Sequence, residues 1–469
     1  MEKPNVTRHF VYVLCSQLVV AASGFTKALL LPVALTVPEF AYWQIYIFYV
    51  AYAGVLSLGY VDGIYLQYGG KQYGDLPFSR LRSSNLLYIL ALLAGAAFIA
   101  VYADVQADPA RAWVFWAIAL NIVLSGIIGN ISYTLQATNL LREYALINTL
   151  DKLIFLAALL LLIWPMFRSF QFLIIADIAS RFAVLGFLLV KRSDLLIGPL
   201  EKLRPAVDQM VTLVRTGLPL LVANLSGMLA LGAGRIAIEY DAGLADYAHY
   251  AFATTLANVV LISAAAMSVA IYPVLRQQDP VKLLAYFDET NWIYRNVALL
   301  LLLGYFPAVL FIQIVAPKYQ AAIGILAVVF VMTVLQGKMQ LVNNTFYKAL
   351  RLERAMLAAN LSSLVMAICL VALAWACFHS VLALAYATLV TMLYRVYASE
   401  VYLRRQLGEV ARWHHLAEVA ALLAFLPIAA FATTLAGFAL WSLVVAVIAL
   451  ANRRRLAAFL QRLRQGSAA

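Results

Sequence analysis

Long apolar runs separated by short polar breaks dominate the chain. Fourteen such runs stand at about 10–36, 40–66, 84–103, 112–137, 147–165, 170–190, 216–238, 250–274, 296–315, 319–341, 355–377, 381–399, 417–434 and 437–451. A helix crosses the hydrocarbon of a bilayer with roughly 20 apolar residues, so most of these runs are long enough to span it. They are continuous and do not alternate, which argues against the short strands of a membrane β-barrel. The pattern predicts an all-α polytopic membrane protein with about 14 transmembrane helices, the last two short enough to form one tight hairpin. The first run is too long for a signal-peptide core and lacks an evident small-residue cleavage site, so it is expected to be retained.

Composition agrees. Of 469 residues 65% are hydrophobic and 12% charged, about half the charge of an ordinary soluble domain. A soluble enzyme, a disordered chain and a fibrous repeat are all excluded. The net charge of +12 matters less than its placement. With the N-terminus in the cytoplasm and the spans alternating, 26 Lys and Arg residues fall on inside segments and three, Arg111, Arg168 and Lys318, on outside loops. This bias predicts that both ends are cytoplasmic and explains the basic excess without nucleic acid. The outside loops are too short for an extracytoplasmic catalytic domain. Cys15, Cys369 and Cys377 lie inside apolar runs and read as small packing residues; no metal spacing or Walker spacing is present.

The two halves look related. Lys27 and Arg235 lie 208 residues apart in spans one and seven, Lys71 and Lys282 are 211 apart, Gln136-Ala137 and Lys348-Ala349 are 212 apart, and Arg181 and Arg395 are 214 apart in spans six and twelve. Six spans per repeat keep the membrane orientation, so the repeat axis is expected along the membrane normal. The expected organisation is an N-lobe over 1–190, a cytoplasmic connector over 191–215, a C-lobe over 216–402, and accessory spans with a basic tail over 403–469. The tail from Arg453 to Arg464 reads as an amphipathic helix on anionic headgroups.

Residues 59–73, GYVDGIYLQYGGKQY, and 133–145, YTLQATNLLREYA, resemble the segments after spans two and four in bacterial polysaccharide-export flippases. That family includes the O-antigen flippases and belongs to the multidrug/oligosaccharidyl-lipid/polysaccharide superfamily. The resemblance implies two pseudo-symmetric six-helix lobes around a cationic central cavity in the bacterial cytoplasmic (inner) membrane. It implies transfer of an undecaprenyl-diphosphate-linked oligosaccharide from the inner to the outer leaflet by alternating access, for cell-surface polysaccharide such as lipopolysaccharide. Its partners would be that lipid-linked glycan, membrane lipids, and the polysaccharide polymerase and chain-length machinery. Fourteen spans is more like the peptidoglycan-precursor flippases and some polysaccharide exporters than the twelve-span drug exporters.

Each charge inside a span asks for a reason, because insertion at the bilayer centre costs at least about 2.5–3.5 kcal/mol. Lys27 and Arg235 sit at matched depth in related spans. They either snorkel to the outer headgroups or face the cavity and clamp a diphosphate, one from each lobe. Asp177 and Arg181 share a helix face, as a self-neutralised pair or with Arg181 free to exchange its carboxylate for a phosphate oxygen. Lys338 and Arg395 lie in the inner halves of spans ten and twelve as further diphosphate candidates, with inward snorkelling as the alternative for Arg395. Asp62 and Asp177 are the coupling candidates; Asp62 would carry a proton or sodium ion, cap a helix, or pair with Lys71. No catalytic residue, metal site or bound cofactor is expected, only coupling to a proton or sodium gradient. Pro32, Pro219 and Pro273 are candidate bending points. Trp43, Trp113, Trp116, Trp164 and Trp441 are expected in the interfacial belts. Gly63, Gly69 and Gly70 read as a turn with close helix packing.

Lipid-linked oligosaccharide flipping is thus the first functional reading. A cation-coupled multidrug exporter of the same superfamily is the alternative, disfavoured because five of the seven intramembrane charges are positive. A membrane glycan polymerase or ligase would need a large outer loop.

Overall fold

The structure, a computed structural model, describes residues 6–276, 283–409, 414–453 and 455; the side chains of 6–15, 163, 260, 262–276 and 414–415 are outside the description. The described residues are helical, with no strand among them. The chain divides into two compact units, Met1–Leu229 and Ala230–Ala469.

The first unit holds α1 (Val6–Ala34), α2 (Val37–Ala51), α3 (Tyr60–Tyr68), α4 (Phe78–Asp104), α5 (Pro109–Ala137), α6 (Leu141–Leu159), α7 (Phe170–Arg192) and most of α8 (Leu203–Ala237). The second holds α9 (Leu244–Arg276), α10 (Leu283–Leu302), α11 (Tyr305–Ile314), α12 (Ile323–Lys338), α13 (Asn344–Ala349), α14 (Glu353–Phe378), α15 (Val381–Gln406), α16 (His414–Phe431) and α17 (Thr434–Ala451). Each of the fourteen apolar runs is mostly helical, with breaks inside some of them, as at Leu58–Gly59 and Leu303–Gly304. Among the described residues eleven helices are long and apolar enough to cross a membrane, or twelve if the bent pair α2 and α3 is one span; Leu416–Phe431 of α16 is shorter. The class is therefore a multi-pass all-α membrane protein.

Span two is broken where hydropathy runs on. Leu58 at φ 49° and Gly59 at φ 82° are both left-handed, a conformation that glycine tolerates and leucine does not. Val37–Ser57 and Tyr60–Tyr68 meet at 61°. Gly59 and Gly63 of this span lie against the α8 backbone at Gly217–Leu218 and Leu213, where any side chain would collide. Gly217 faces Gly59 and Gly63 in return. Three glycines thus bring two helices together backbone to backbone, as expected for Gly63. Gly70, at φ 87°, makes the following turn.

The repeat is visible in backbone detail within each unit. After α5, Leu140 N–H donates to Leu135 O (2.8 Å) and Asn139 N–H to Gln136 O (3.3 Å); after α13, Leu352 N–H donates to Tyr347 O (2.8 Å) and Arg351 N–H to Lys348 O (3.3 Å). Both are Schellman caps with a left-handed residue at the same place, Asn139 at φ 59° and Arg351 at φ 55°. The two caps are offset by 212 residues, the offset that Gln136-Ala137 and Lys348-Ala349 suggest in the sequence.

The segment expected as a connector is partly ordered: α8 begins inside it, and α4 pins its start. Arg82 donates to Asp194 O (2.9 Å) and Pro199 O (2.9 Å), and Asn85 Nδ2 donates to Leu195 O (3.0 Å). Pro32 and Pro219 lie inside α1 and α8, and Pro273 lies inside α9 with its side chain outside the description. Two of the five belt tryptophans are instead core residues: Trp43 and Trp441 are buried, whereas Trp116 and Trp164 are exposed. Cys369 and Cys377 are exposed free thiols, not packing residues of the interior. The basic tail beyond Arg455 lies outside the described residues.

Candidate functional site

In the first unit, α2, α5, α6 and α7 bring polar side chains to one buried place between apolar surfaces. A buried carboxylate is tolerable only when donors surround it, and Asp177 is surrounded. Tyr46 O–H (2.8 Å), Asn121 Nδ2 (3.0 Å) and Arg181 Nε (3.1 Å) all donate to its Oδ2. Arg181 Nη1 donates to Ser125 Oγ (2.9 Å), which donates to Asn121 Oδ1 (2.6 Å) and closes the network. The i,i+4 spacing on α7 therefore does form the expected ion pair. On α6, Asp151 pairs with Lys152 and accepts from Ser180 Oγ at 2.8 Å.

Lys27 of α1 completes the cluster differently. Its Nζ lies 4.6 Å from the Phe155 ring centroid, a cation–π contact. Asp151, Lys152, Asp177 and Arg181 all act on it electrostatically, yet it has no hydrogen bond or ion pair among the described residues. Three cations here stand against two carboxylates.

Of the remaining candidates, Asp62 lies half-buried in the first turn of α3, where the helix dipole favours an anion. It does not pair with Lys71, whose Nζ sits 5.0 Å from the Tyr68 ring. The other three belong to the second unit. Arg235 Nε donates to Tyr247 Oη (2.9 Å), with the guanidinium 5.0 Å from that ring. Lys338 is buried between Glu400 (2.8 Å) and Glu418 (2.6 Å). Arg395 is buried and donates to Asn360 Oδ1 (3.0 Å) and Gln336 Oε1 (3.4 Å).

The structure thus brings Lys27, Asp177 and Arg181 together and gives Asp62, Arg235, Lys338 and Arg395 surroundings of their own. Sequence reasoning placed Lys152 on an inside segment and passed over Asp151, Tyr46, Asn121 and Ser125. The signal for the last two was available: Asn121 and Ser125 are one turn apart in an apolar run, on one helix face.

No protein-family model matches this sequence, and no curated protein matches it. Solved structures do match in shape. The lipid II flippase MurJ, in an inward closed conformation, gives a TM-score of 0.61 at 12% identity, covering 96% of this chain and 100% of that one. An inward-facing multidrug resistance MATE family transporter of the MOP superfamily gives 0.56 at 15% identity, covering 85% and 96%. An outward-facing one gives 0.52 at 14% identity, covering 85% and 95%. At such identities the likeness establishes the fold: this chain folds as MurJ and the MATE transporters of the MOP superfamily do.

Proposed function

We propose that this protein is a flippase for an undecaprenyl-diphosphate-linked oligosaccharide, moving it from the inner to the outer leaflet of the cytoplasmic membrane for surface polysaccharide synthesis. The observation that carries this reading is the cation excess in the Lys27 cluster of the first unit. Lys27 there faces an aromatic ring with no carboxylate of its own, and Arg181 shares Asp177 with two neutral donors. A diphosphate offers several acceptor oxygens to such a place, and a guanidinium engages them two at a time. Arg235 would be a phosphate contact in its own surroundings within the second unit, and Asp62 or Asp177 would carry a coupling proton or sodium ion. Coverage supports the same reading: the lipid II flippase fold matches 96% of this chain and the MATE fold 85%.

Translocation would follow alternating access. The glycan and diphosphate would cross through a wet interior while the prenyl tail stays in lipid. The product would pass to the polymerase and chain-length machinery. The MATE-like fold keeps a cation-coupled drug exporter as the alternative, but a cationic drug would meet Lys27, Lys152 and Arg181 unfavourably. The test is reconstitution in vesicles with a lipid-diphosphate glycan and an outer-side probe of its leaflet. Transfer that needs the protein and is lost in Lys27→Ala supports flipping. Cationic-dye export without glycan transfer would replace it with the exporter reading.

A further inference from the structure

The second unit holds a polar cavity of about 470 Å³ at the ends of α10, α15, α16 and α17. Its inner wall continues the Lys338 network. Arg404 binds Glu400 (3.1 Å), Asp288 (2.7 Å) and Glu409 (2.6 Å), and Lys338 binds Glu400 and Glu418. Two cations meet four carboxylates, so this network is acidic on balance. Asn291 adds a buried, unpartnered acceptor in the lining. It is 7% exposed, its Nδ2 donates to Phe287 O (3.0 Å), and its Oδ1 has no donor among the described residues. The other wall has the opposite character. Arg295, one turn beyond Asn291 on α10, and Arg455, after α17, line the cavity without a hydrogen bond or ion pair among the described residues. The Arg455 guanidinium lies 5.0 Å from the Trp292 ring.

We propose that this cavity binds a zwitterionic phosphate–amine headgroup, that of a phosphatidylethanolamine-type lipid. The phosphate would lie on Arg295 and Arg455, and the ammonium against Asn291 Oδ1 and the Asp288 side of the acidic wall. Each half of the ligand answers one half of the cavity. Guanidinium forks suit phosphate, and an ammonium supplies the donor that Asn291 lacks while relieving the carboxylate excess. A phosphoglycerol headgroup offers the same phosphate but leaves the acidic wall uncompensated. Inorganic phosphate would add charge near carboxylates and leave Asn291 without a donor. Loop charge assigns these helix ends to the cytoplasmic face, and Trp and Arg sit naturally at headgroup level. The proposal does not rest on what the protein transports.

The experiment uses the full chain in detergent with four probes: short-chain phosphatidylethanolamine, short-chain phosphatidylglycerol, glycerophosphoethanolamine and inorganic phosphate. Binding is read by titration calorimetry and by the shift in unfolding temperature. The ethanolamine lipid should bind at least about fivefold tighter than the glycerol lipid. Arg295→Ala with Arg455→Ala should weaken it about tenfold or more, since charge-assisted bonds are lost. Asn291→Leu should remove the preference between the two lipids. Equal affinity for both lipids, or a double variant that binds as before, overturns the proposal. So does inorganic phosphate or glycerophosphoethanolamine binding as tightly as the lipid, since either makes the ligand a soluble phosphate. If the double variant does not purify folded, Asn291→Leu decides alone: a preference that survives it overturns the assignment.

Discussion

Lys338→Met should destabilise the second unit severely. The Lys338 side chain is 1% exposed, and its two partners, Glu400 and Glu418, are 3% and 8% exposed, at 2.8 Å and 2.6 Å. Methionine fills most of the same volume, so the loss is electrostatic. Removing one partner of a buried ion pair costs about 3–5 kcal/mol, because the charge left behind stays desolvated. Glu400 keeps Arg404 at 3.1 Å, so the larger share of the cost falls on Glu418. Neutralising that residue in Lys338→Met/Glu418→Gln should therefore recover about 1–3 kcal/mol of the loss, a coupling that independent sites would not show. For a unit of this size about 1 kcal/mol moves the unfolding midpoint by roughly 2–4 °C. The single variant should then melt on the order of 10 °C lower in detergent, and the double variant should regain several degrees. A single variant within about 2 °C of the parent, or a double variant no better than the single, would refute the buried-pair account. Transport per folded molecule separates the roles. If the stabilised double variant transports normally, Lys338 holds the fold; if it folds but does not transport, Lys338 belongs with the substrate after all.

The other predictions concern packing, the clamp and the caps. Gly63→Ala and Gly217→Ala should each reduce folded protein in the membrane sharply, because backbone occupies the space a side chain needs; Gly54→Ala, with nothing within 4 Å, should change stability by less than about 0.5 kcal/mol. Lys27→Arg should keep flipping in vesicles and Lys27→Ala abolish it, while Arg235→Ala should lose more than Arg235→Lys, which keeps charge but not the fork; normal transport by both Ala variants at normal abundance ends the clamp idea. Arg351→Gly should raise the unfolding midpoint by an amount equivalent to about 0.5–1 kcal/mol, since glycine adopts the left-handed cap at φ 55° freely; a lower midpoint would mean that the arginine side chain contributes more than its backbone costs.

What could be read in the sequence was what repeats or what is local. The apolar runs mark helices because a bilayer leaves the backbone no other partners. The Asp177–Arg181 pair is one helical turn long, and the offset of 212 residues marked caps whose hydrogen bonds match within each unit. Long-range pairing was not legible. Glu418 is 80 residues beyond Lys338 and lies in an accessory helix with no counterpart in the repeat, so nothing flagged it. Trp441 stands near the start of an apolar run, where hydropathy does not separate a headgroup anchor from a core residue; its Nε1 in fact donates to Leu299 O (3.0 Å). The break in span two was hidden because Leu58 is as apolar as its neighbours, and only Gly59 hinted at a left-handed turn.

The matched arginines show where the two repeats diverge. Arg181 and Arg395 each donate through Nη1 to a side chain of the fourth span of their own repeat, Ser125 at 2.9 Å and Gln336 at 3.4 Å. Their positions are therefore equivalent in structure as well as in spacing. One turn earlier the repeats differ in charge: Asp177 pairs with Arg181, whereas Thr391 occupies the place before Arg395 and donates to its own helix at Ala387 O (3.0 Å). The same architecture thus carries a neutralised arginine in one repeat and an arginine beside a hydroxyl in the other. Backbone geometry constrains such a fold tightly, while charges inside it can change at single positions. A lipid II flippase and multidrug resistance transporters share this fold, so shape alone does not separate the two readings. Around Lys27 three cations stand against two carboxylates, whereas around Lys338 and Arg404 two stand against four, so the diphosphate proposal rests on the Lys27 cluster and not on the superposition.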